Sequence, residues 1–97
     1  MEVQINGLTA SLIGRLDTPA SQETMEALAP LFEQADNTIV LDCSQLEYIS
    51  SSGLRIFLML RKQAAAKGGK VIVKGIQEDI RKVFMMTGFL NLFEIED

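Results

Sequence analysis

Three consecutive serines, Ser50–Ser52, followed by Gly53, are the residues of this sequence whose types and spacing suggest chemistry. They could form a nucleophile, a phosphate cradle, a phosphorylation target or a cap at the start of a helix. A serine nucleophile is usually activated by a histidine base, and the sequence contains no histidine. Because no general base is visible for Ser51, we predict that the protein is not an enzyme.

The composition and length of the chain limit its possible partners, location and cofactors. The chain has 97 residues and a formal net charge of −4, and its basic residues are dispersed. This excess of negative charge disfavours nucleic acid as a partner. The length predicts one domain over residues 1–97, and the lack of a signal segment or a bilayer-length apolar run predicts a cytoplasmic protein without membrane insertion. We expect Cys43 to be buried, and we predict no metal site and no cofactor.

The first third of the sequence predicts a hairpin followed by a helix. The opening residues have the pattern of two strands joined at Asn6-Gly7, a dipeptide typical of type I′ turns. Thr18 is expected to cap the helix that follows. That helix should reach about Phe32, with a bend or an early end caused by Pro30.

The rest of the chain alternates between strand and helix patterns. Short apolar, β-branched runs predict buried strands at 38–42 and 71–73, and a last edge-like strand is expected at 92–95. Helical patterns cover 52–67 and 77–86. The alternation predicts a single α/β domain with a mixed, mostly parallel sheet of four or five strands, an N-terminal β-hairpin and about three main helices.

Three stretches of the sequence carry a family resemblance: "GRLDTPAS", "IVLDCSQLEYISSSGLR" and "IRKVFMMTGFLNLF". Together they resemble the STAS domain, in particular the anti-sigma factor antagonists of bacterial partner-switching systems. Asp42 and Ser44 match an aspartate and a serine that close a strand in the family. Residues 51–53 match its Ser-Ser-Gly motif, and Ser50 stands where the family commonly has aspartate.

The resemblance implies a binding protein that is switched by phosphorylation. In the family the first serine after that aspartate is phosphorylated, and Ser51 holds the corresponding position here. The kinase is an ATP-binding anti-sigma factor, which the unphosphorylated antagonist binds so that a sigma factor is released, and a serine phosphatase reverses the modification. We expect a monomer or a weak dimer. A structural subunit of an ABC-type lipid transport complex, packed against its ATPase, is an alternative within the same fold.

The residues flanking Ser51 are expected to contact the partner. A hydroxyl at a helix N-terminus lies among unpaired backbone N–H groups and can carry a phosphate, whereas the alternative is that Ser50 or Ser51 only caps the helix. Ser52 is expected at the same surface, and Gly53 should allow close approach of a partner.

Two further segments are predicted to complete the partner surface. The resemblance places Asp17 and Thr18 beside the serine turn, although both could simply cap the first helix. The helical period directs Arg55, Met59 and Lys62 outward and places Leu58 at the margin of the same surface, unless a second helix covers them. This set, here called the docking strip, consists of Arg55, Leu58, Met59 and Lys62.

Overall fold

The computed structural model describes residues 1–96 as a five-stranded sheet with four helices. The strands are β1 (Glu2–Asn6), β2 (Thr9–Leu16), β3 (Thr38–Ile49), β4 (Lys70–Lys74) and β5 (Glu94–Glu96). The helices are α1 (Thr18–Ala27), α2 (Ala29–Glu33), α3 (Ser51–Lys67) and α4 (Glu78–Thr87), and a 3₁₀ turn spans Phe89–Asn91. The strands lie in chain order, and β1 is antiparallel to β2 while the other neighbours are parallel. The predicted fold class is confirmed.

The helices of the described chain cover one face of this sheet. Each parallel connection advances by one strand in the same direction, so right-handed crossovers place all of the helices on the same side. Burial agrees with this arrangement: Ile39, Leu41 and Cys43 of β3 are fully buried, whereas the alternating Thr38 and Val40 are not. The core therefore lies between one sheet face and the helices.

The N-terminal hairpin differs from the prediction by one residue. Asn6 pairs with Thr9, so the turn residues are Gly7 and Leu8. Gly7 has a φ of 62° and Leu8 does not have a positive φ, which fits a type II′ turn rather than the expected type I′ turn. This register sets Val3 opposite the buried Leu12, and a slip of one residue would turn Val3 away from the core.

The predicted first helix is divided in two. α1 ends at Ala27, the buried Leu28 separates the helices, and Pro30 is near the start of α2. Proline lacks the N–H that would continue the hydrogen-bond ladder, so the expected early end is confirmed. Asp17 caps α1, which corrects the expectation that Thr18 does so.

Strand β3 is much longer than the five residues predicted for it. It has 12 residues and reaches Ile49, directly before the serines. Its pairing with β2 shifts twice, between Ser11 and Ile13 and between Gly14 and Arg15, and at each shift β3 has one extra residue. Such bulges increase the local twist of a strand and change the direction of its side chains.

Helix α3 packs its apolar side onto the sheet. It ends at Lys67 with Gly68 at a φ of 80°, the left-handed cap that the glycines predicted. Its buried Phe57 meets Phe84 and Phe93 in T-shaped, edge-to-face contacts, with ring centroids 5.9 and 6.2 Å apart. These contacts connect α3 to α4 and to the segment before β5. Among the described helices, none has the length and apolar character needed to cross a bilayer.

Candidate functional site

Two helices begin side by side at the carboxyl ends of β2 and β3. Leu16 and Ile49 are paired at the ends of these strands, and the Ser50 backbone N–H donates to the Leu16 carbonyl at 2.8 Å. The next residue on β2 is Asp17, which starts α1, and Ser50 starts α3. The sheet therefore brings the Asp17 loop and the serine turn together, as the resemblance implied.

The three serines have different surroundings. Ser50 is 8% exposed, and its hydroxyl oxygen accepts a hydrogen bond from the Gly53 N–H at 3.1 Å. Ser51 is exposed at the first position of α3, and Ser52 is half-buried. The cap alternative therefore applies to Ser50, whereas the hydroxyl of Ser51 is open to solvent.

Gly53 lies where helix α3 packs closely against the sheet. It is buried, and a Cβ atom there would lie 2.7 Å from Leu16 Cγ and 2.9 Å from Ile49 Cγ1. Real Cβ contacts are essentially never so short. The glycine therefore lets α3 approach Leu16 and Ile49 of the sheet closely.

The docking strip lies on the surface of α3. Arg55 and Lys62 are exposed, Met59 is 42% exposed and Leu58 is half-buried. The exposure of Arg55, Met59 and Lys62 confirms their predicted outward orientation, and the half-buried Leu58 lies at the margin, as expected. α3 also has no acidic residue, although it holds four of the nine basic residues of the chain, Arg55, Arg61, Lys62 and Lys67. The serine turn thus begins a positively charged helix in a chain of net negative charge.

Asp17 caps the start of α1, whereas Thr18 is the first residue of the helix. The Asp17 Oδ1 atom accepts a hydrogen bond from the Ala20 N–H at 3.0 Å, and the Asp17 carbonyl accepts from the Ser21 hydroxyl at 3.0 Å. Thr18 is exposed at the first helical position and makes no cap. The Thr18 side chain is therefore available for contact, whereas the Asp17 carboxylate is engaged within the chain.

Sequence reasoning missed Arg15 and Tyr48, which lie near the carboxyl ends of β2 and β3, close to the serine turn. They are register partners on β2 and β3, and the Arg15 guanidinium carbon is 4.4 Å from the centre of the Tyr48 ring. This is a cation–π contact, and Tyr48 remains 40% exposed. Because β3 was expected to end at Asp42, no signal placed Tyr48 on a strand beside Arg15.

Asp42 and Ser44 hold a bulge inside β3 rather than a turn after the strand. The Asp42 Oδ1 atom accepts hydrogen bonds from the Ser44 N–H at 3.0 Å and from the Ser44 hydroxyl at 2.8 Å. These bonds, the backbone one foremost, hold the pKa of Asp42 below its usual range. The Ser44 carbonyl also accepts from the Gln77 side chain at 3.0 Å. The pair therefore joins β3 to the start of α4.

Cys43 and the described acidic side chains lie outside the serine turn and form no metal-binding cluster among themselves. Cys43 is fully buried, and desolvation raises the pKa of its thiol, as expected for a structural cysteine. Within residues 1–96, no group of three histidine, cysteine, aspartate or glutamate side chains is placed to hold a metal ion.

Two curated bacterial proteins are similar in sequence to this chain over most of its length. The BtrV protein of Bordetella bronchiseptica, provisionally named an anti-sigma factor antagonist, is 32% identical over 93 residues, which cover 95% of this chain and 80% of BtrV. The anti-sigma-B factor antagonist of Bacillus subtilis is 29% identical over 93% of this chain and 82% of its own length.

Solved structures give the same result for the fold. SpoIIAA, a Bacillus anti-sigma factor antagonist, superposes with a TM-score of 0.73 in its unphosphorylated form and 0.71 in its phosphorylated form, at 21% identity in both. The comparison covers 99% and 97% of this chain, and 86% and 88% of the two SpoIIAA chains. The sequence profile of the STAS domain matches residues 1–97. This chain belongs to the STAS domain family, and its relatives include proteins named anti-sigma factor antagonists.

Proposed function

We propose that this protein is an anti-sigma factor antagonist whose binding to an anti-sigma factor is controlled by phosphorylation of Ser51. With a free Ser51 hydroxyl it binds a serine kinase that is itself the anti-sigma factor, and a sigma factor is released. The kinase supplies ATP and transfers the γ-phosphoryl group to the Ser51 oxygen, with loss of the hydroxyl proton and departure of ADP. A serine phosphatase restores the hydroxyl. The names of the relatives support this proposal.

One observation carries the choice of residue: Ser51 is exposed at the first position of α3. Its neighbour Ser50 is buried, and the hydroxyl of Ser50 already accepts the capping hydrogen bond. A kinase must reach the hydroxyl with ATP in line, and only an accessible side chain permits this. Ser51 meets this requirement better than either of its neighbours.

The surroundings of Ser51 also suit a phosphate group. The first turn of α3 has no acidic residue, and its backbone N–H groups form the positive end of the helix dipole. A negative group is stabilised there by about 0.3–1 kcal/mol. The fold should therefore persist after phosphorylation. This agrees with SpoIIAA, for which both the unphosphorylated and the phosphorylated structures superpose on this chain.

The partner surface is expected to extend from Ser51 along the docking strip. Met59 is an exposed apolar side chain between Arg55 and Lys62. Such a combination of an apolar anchor with surrounding charges is typical of protein interfaces. At the other side of the serine turn, Thr18 and the Arg15–Tyr48 pair are available for contact.

The proposal is tested by incubating the protein with a candidate anti-sigma factor kinase and ATP-Mg²⁺. We expect one phosphate per chain, located on Ser51 by tandem mass spectrometry, and none on the Ser51→Ala variant. A phosphate on Ser50 or Ser52 in the unmodified protein would show that the wrong residue is assigned. Binding to a transporter ATPase without phosphate transfer would instead favour the structural subunit of a lipid transport complex.

A further inference from the structure

Arg55 lies one helical turn after Ser51. Residues four apart on a helix are neighbours, with Cβ atoms about 5–6 Å apart. Both side chains are exposed, so the guanidinium can reach the space above Ser51 without leaving a packed position. Within the described chain Arg55 has no hydrogen bond, ion pair or aromatic contact. It is therefore free to bind a new group at Ser51.

The charge order on α3 favours such a contact. The helix carries no carboxylate that could compete for Arg55. A negative group placed four residues before a positive one is the more favourable order on a helix. A phosphoserine supplies three acceptor oxygens and a charge of about −1.5 to −2, and the planar guanidinium can donate two parallel hydrogen bonds to them.

We propose that Arg55 binds the phosphate of phosphorylated Ser51 across the first turn of α3. Phosphorylation then withdraws two contacts from the partner at once, the Ser51 hydroxyl and the Arg55 guanidinium. The release of the partner thus results from an exchange: Arg55 contacts the partner in the unphosphorylated state and the phosphate in the phosphorylated state. This inference rests on the proposed phosphorylation of Ser51.

The ion pair is tested without the kinase, on protein in which phosphoserine is incorporated at position 51 during translation. The apparent pKa of the phosphate is measured by ³¹P NMR in three phosphoproteins. They are the otherwise wild-type chain, the Arg55→Gln variant, and the Lys62→Gln variant as the matched control. Lys62→Gln removes the same charge from an exposed position on the same helix, about 16 Å along its axis from Ser51. Arg15 and Asp17, the charged residues at the adjacent strand end and helix cap, are unchanged throughout.

A nearby guanidinium stabilises the dianion and lowers its pKa, so removal of Arg55 should raise it. We expect a rise of about half a pH unit or more for Arg55→Gln, from a Coulomb interaction at about 5 Å in water. Lys62→Gln should leave the phosphate pKa nearly unchanged. Equal rises in the two variants, or none in either, would overturn the ion pair.

A binding measurement separates this inference from the function on which it rests. We expect Arg55→Gln to weaken kinase binding at least threefold when Ser51 is unphosphorylated. An unchanged affinity would overturn the exchange, even if phosphorylation of Ser51 still released the partner and the switch were correct. Phosphorylation by the kinase at a residue other than Ser51 would overturn the proposed function, and with it the regulatory role of Arg55.

Discussion

Ser50 and Ser51 are adjacent in the chain, yet one hydroxyl is held in a buried hydrogen bond and the other faces solvent. The capping role and the proposed phosphorylation are therefore carried by separate residues. Ser50 stands where the family resemblance led us to expect aspartate, and it provides the same cap, because aspartate and serine both accept a hydrogen bond from the third helical N–H. The difference is the loss of a negative charge beside Ser51.

Replacement of Ser50 by alanine should destabilise the protein without moving the phosphate. Ser50→Ala removes the bond to the Gly53 N–H, and loss of such a cap costs about 1 kcal/mol. Ser51→Ala is the matched control and should change the free energy of unfolding by less than about 0.5 kcal/mol. Urea denaturation measures both effects. Equal losses in the two variants would mean that Ser51 also caps α3.

Gly53→Ala should also destabilise the fold, for a steric reason. The added methyl group would overlap Leu16 and Ile49, and overpacking of this kind costs about 1–3 kcal/mol. Ser52→Ala, one residue earlier and only half-buried, should cost less. The urea midpoints of the two variants give the comparison, and a Gly53→Ala protein as stable as the wild type would show that α3 can move away from the sheet.

At the scale of the elements, helices and short apolar strands could be predicted from local patterns. α3 and its cap follow from the apolar period and from the glycines at its end. The full length of β3 could not be predicted, because Ser44, Gln45 and Glu47 interrupt its apolar run. The buried Leu46 and Ile49 continue the pattern only after bulges, and the position of a bulge depends on the partner strand.

The parts of the site that sequence reasoning missed also depend on how strands and helices pack against one another. Tyr48 and Arg15 meet only because the register of β2 and β3 aligns them. The clash that requires glycine at position 53 likewise involves two strands, one of them far away in the chain. Local sequence identifies Ser51 as exposed at a helix start, but contacts between elements decide what surrounds it.

The docking strip of α3 predicts a separation between binding and stability. Met59→Glu should weaken binding to the kinase at least tenfold, because a carboxylate would replace an apolar contact. It should leave the thermal midpoint nearly unchanged, since Met59 is 42% exposed. Leu60→Ala, at the next residue but fully buried, should instead cost about 2–5 kcal/mol. Calorimetry of binding and of unfolding measures the two quantities, and unfolding of Met59→Glu would place Met59 in the core.

At the scale of the whole molecule, charge is distributed unevenly. The chain has a net charge of −4, but α3 contains four basic residues and no acidic one. A partner that docks along α3 should therefore present an acidic surface, and the rate of association should fall as ionic strength rises.

Phosphorylation of Ser51 should weaken partner binding and preserve the fold. The partner surface would have to accommodate and desolvate a dianion, so we expect at least a tenfold weaker complex, equal to about 1.4 kcal/mol or more. Circular dichroism should show the same spectrum before and after modification. Ser51→Asp should reproduce part of the loss, and Ser51→Ala should bind the kinase regardless of ATP. Equal affinities of the phosphorylated and unphosphorylated proteins, measured by calorimetry, would contradict the switch.

The burial of Cys43 has a practical consequence for following this switch. The chain has one cysteine, Cys43, which is fully buried in β3. Its raised pKa keeps the thiol protonated near neutral pH. Maleimide dyes should therefore react selectively with a second cysteine introduced on the surface, for example at Gln63 or Ala66 of α3. A fluorophore at either position would report partner docking and release in real time, with the native cysteine left in place.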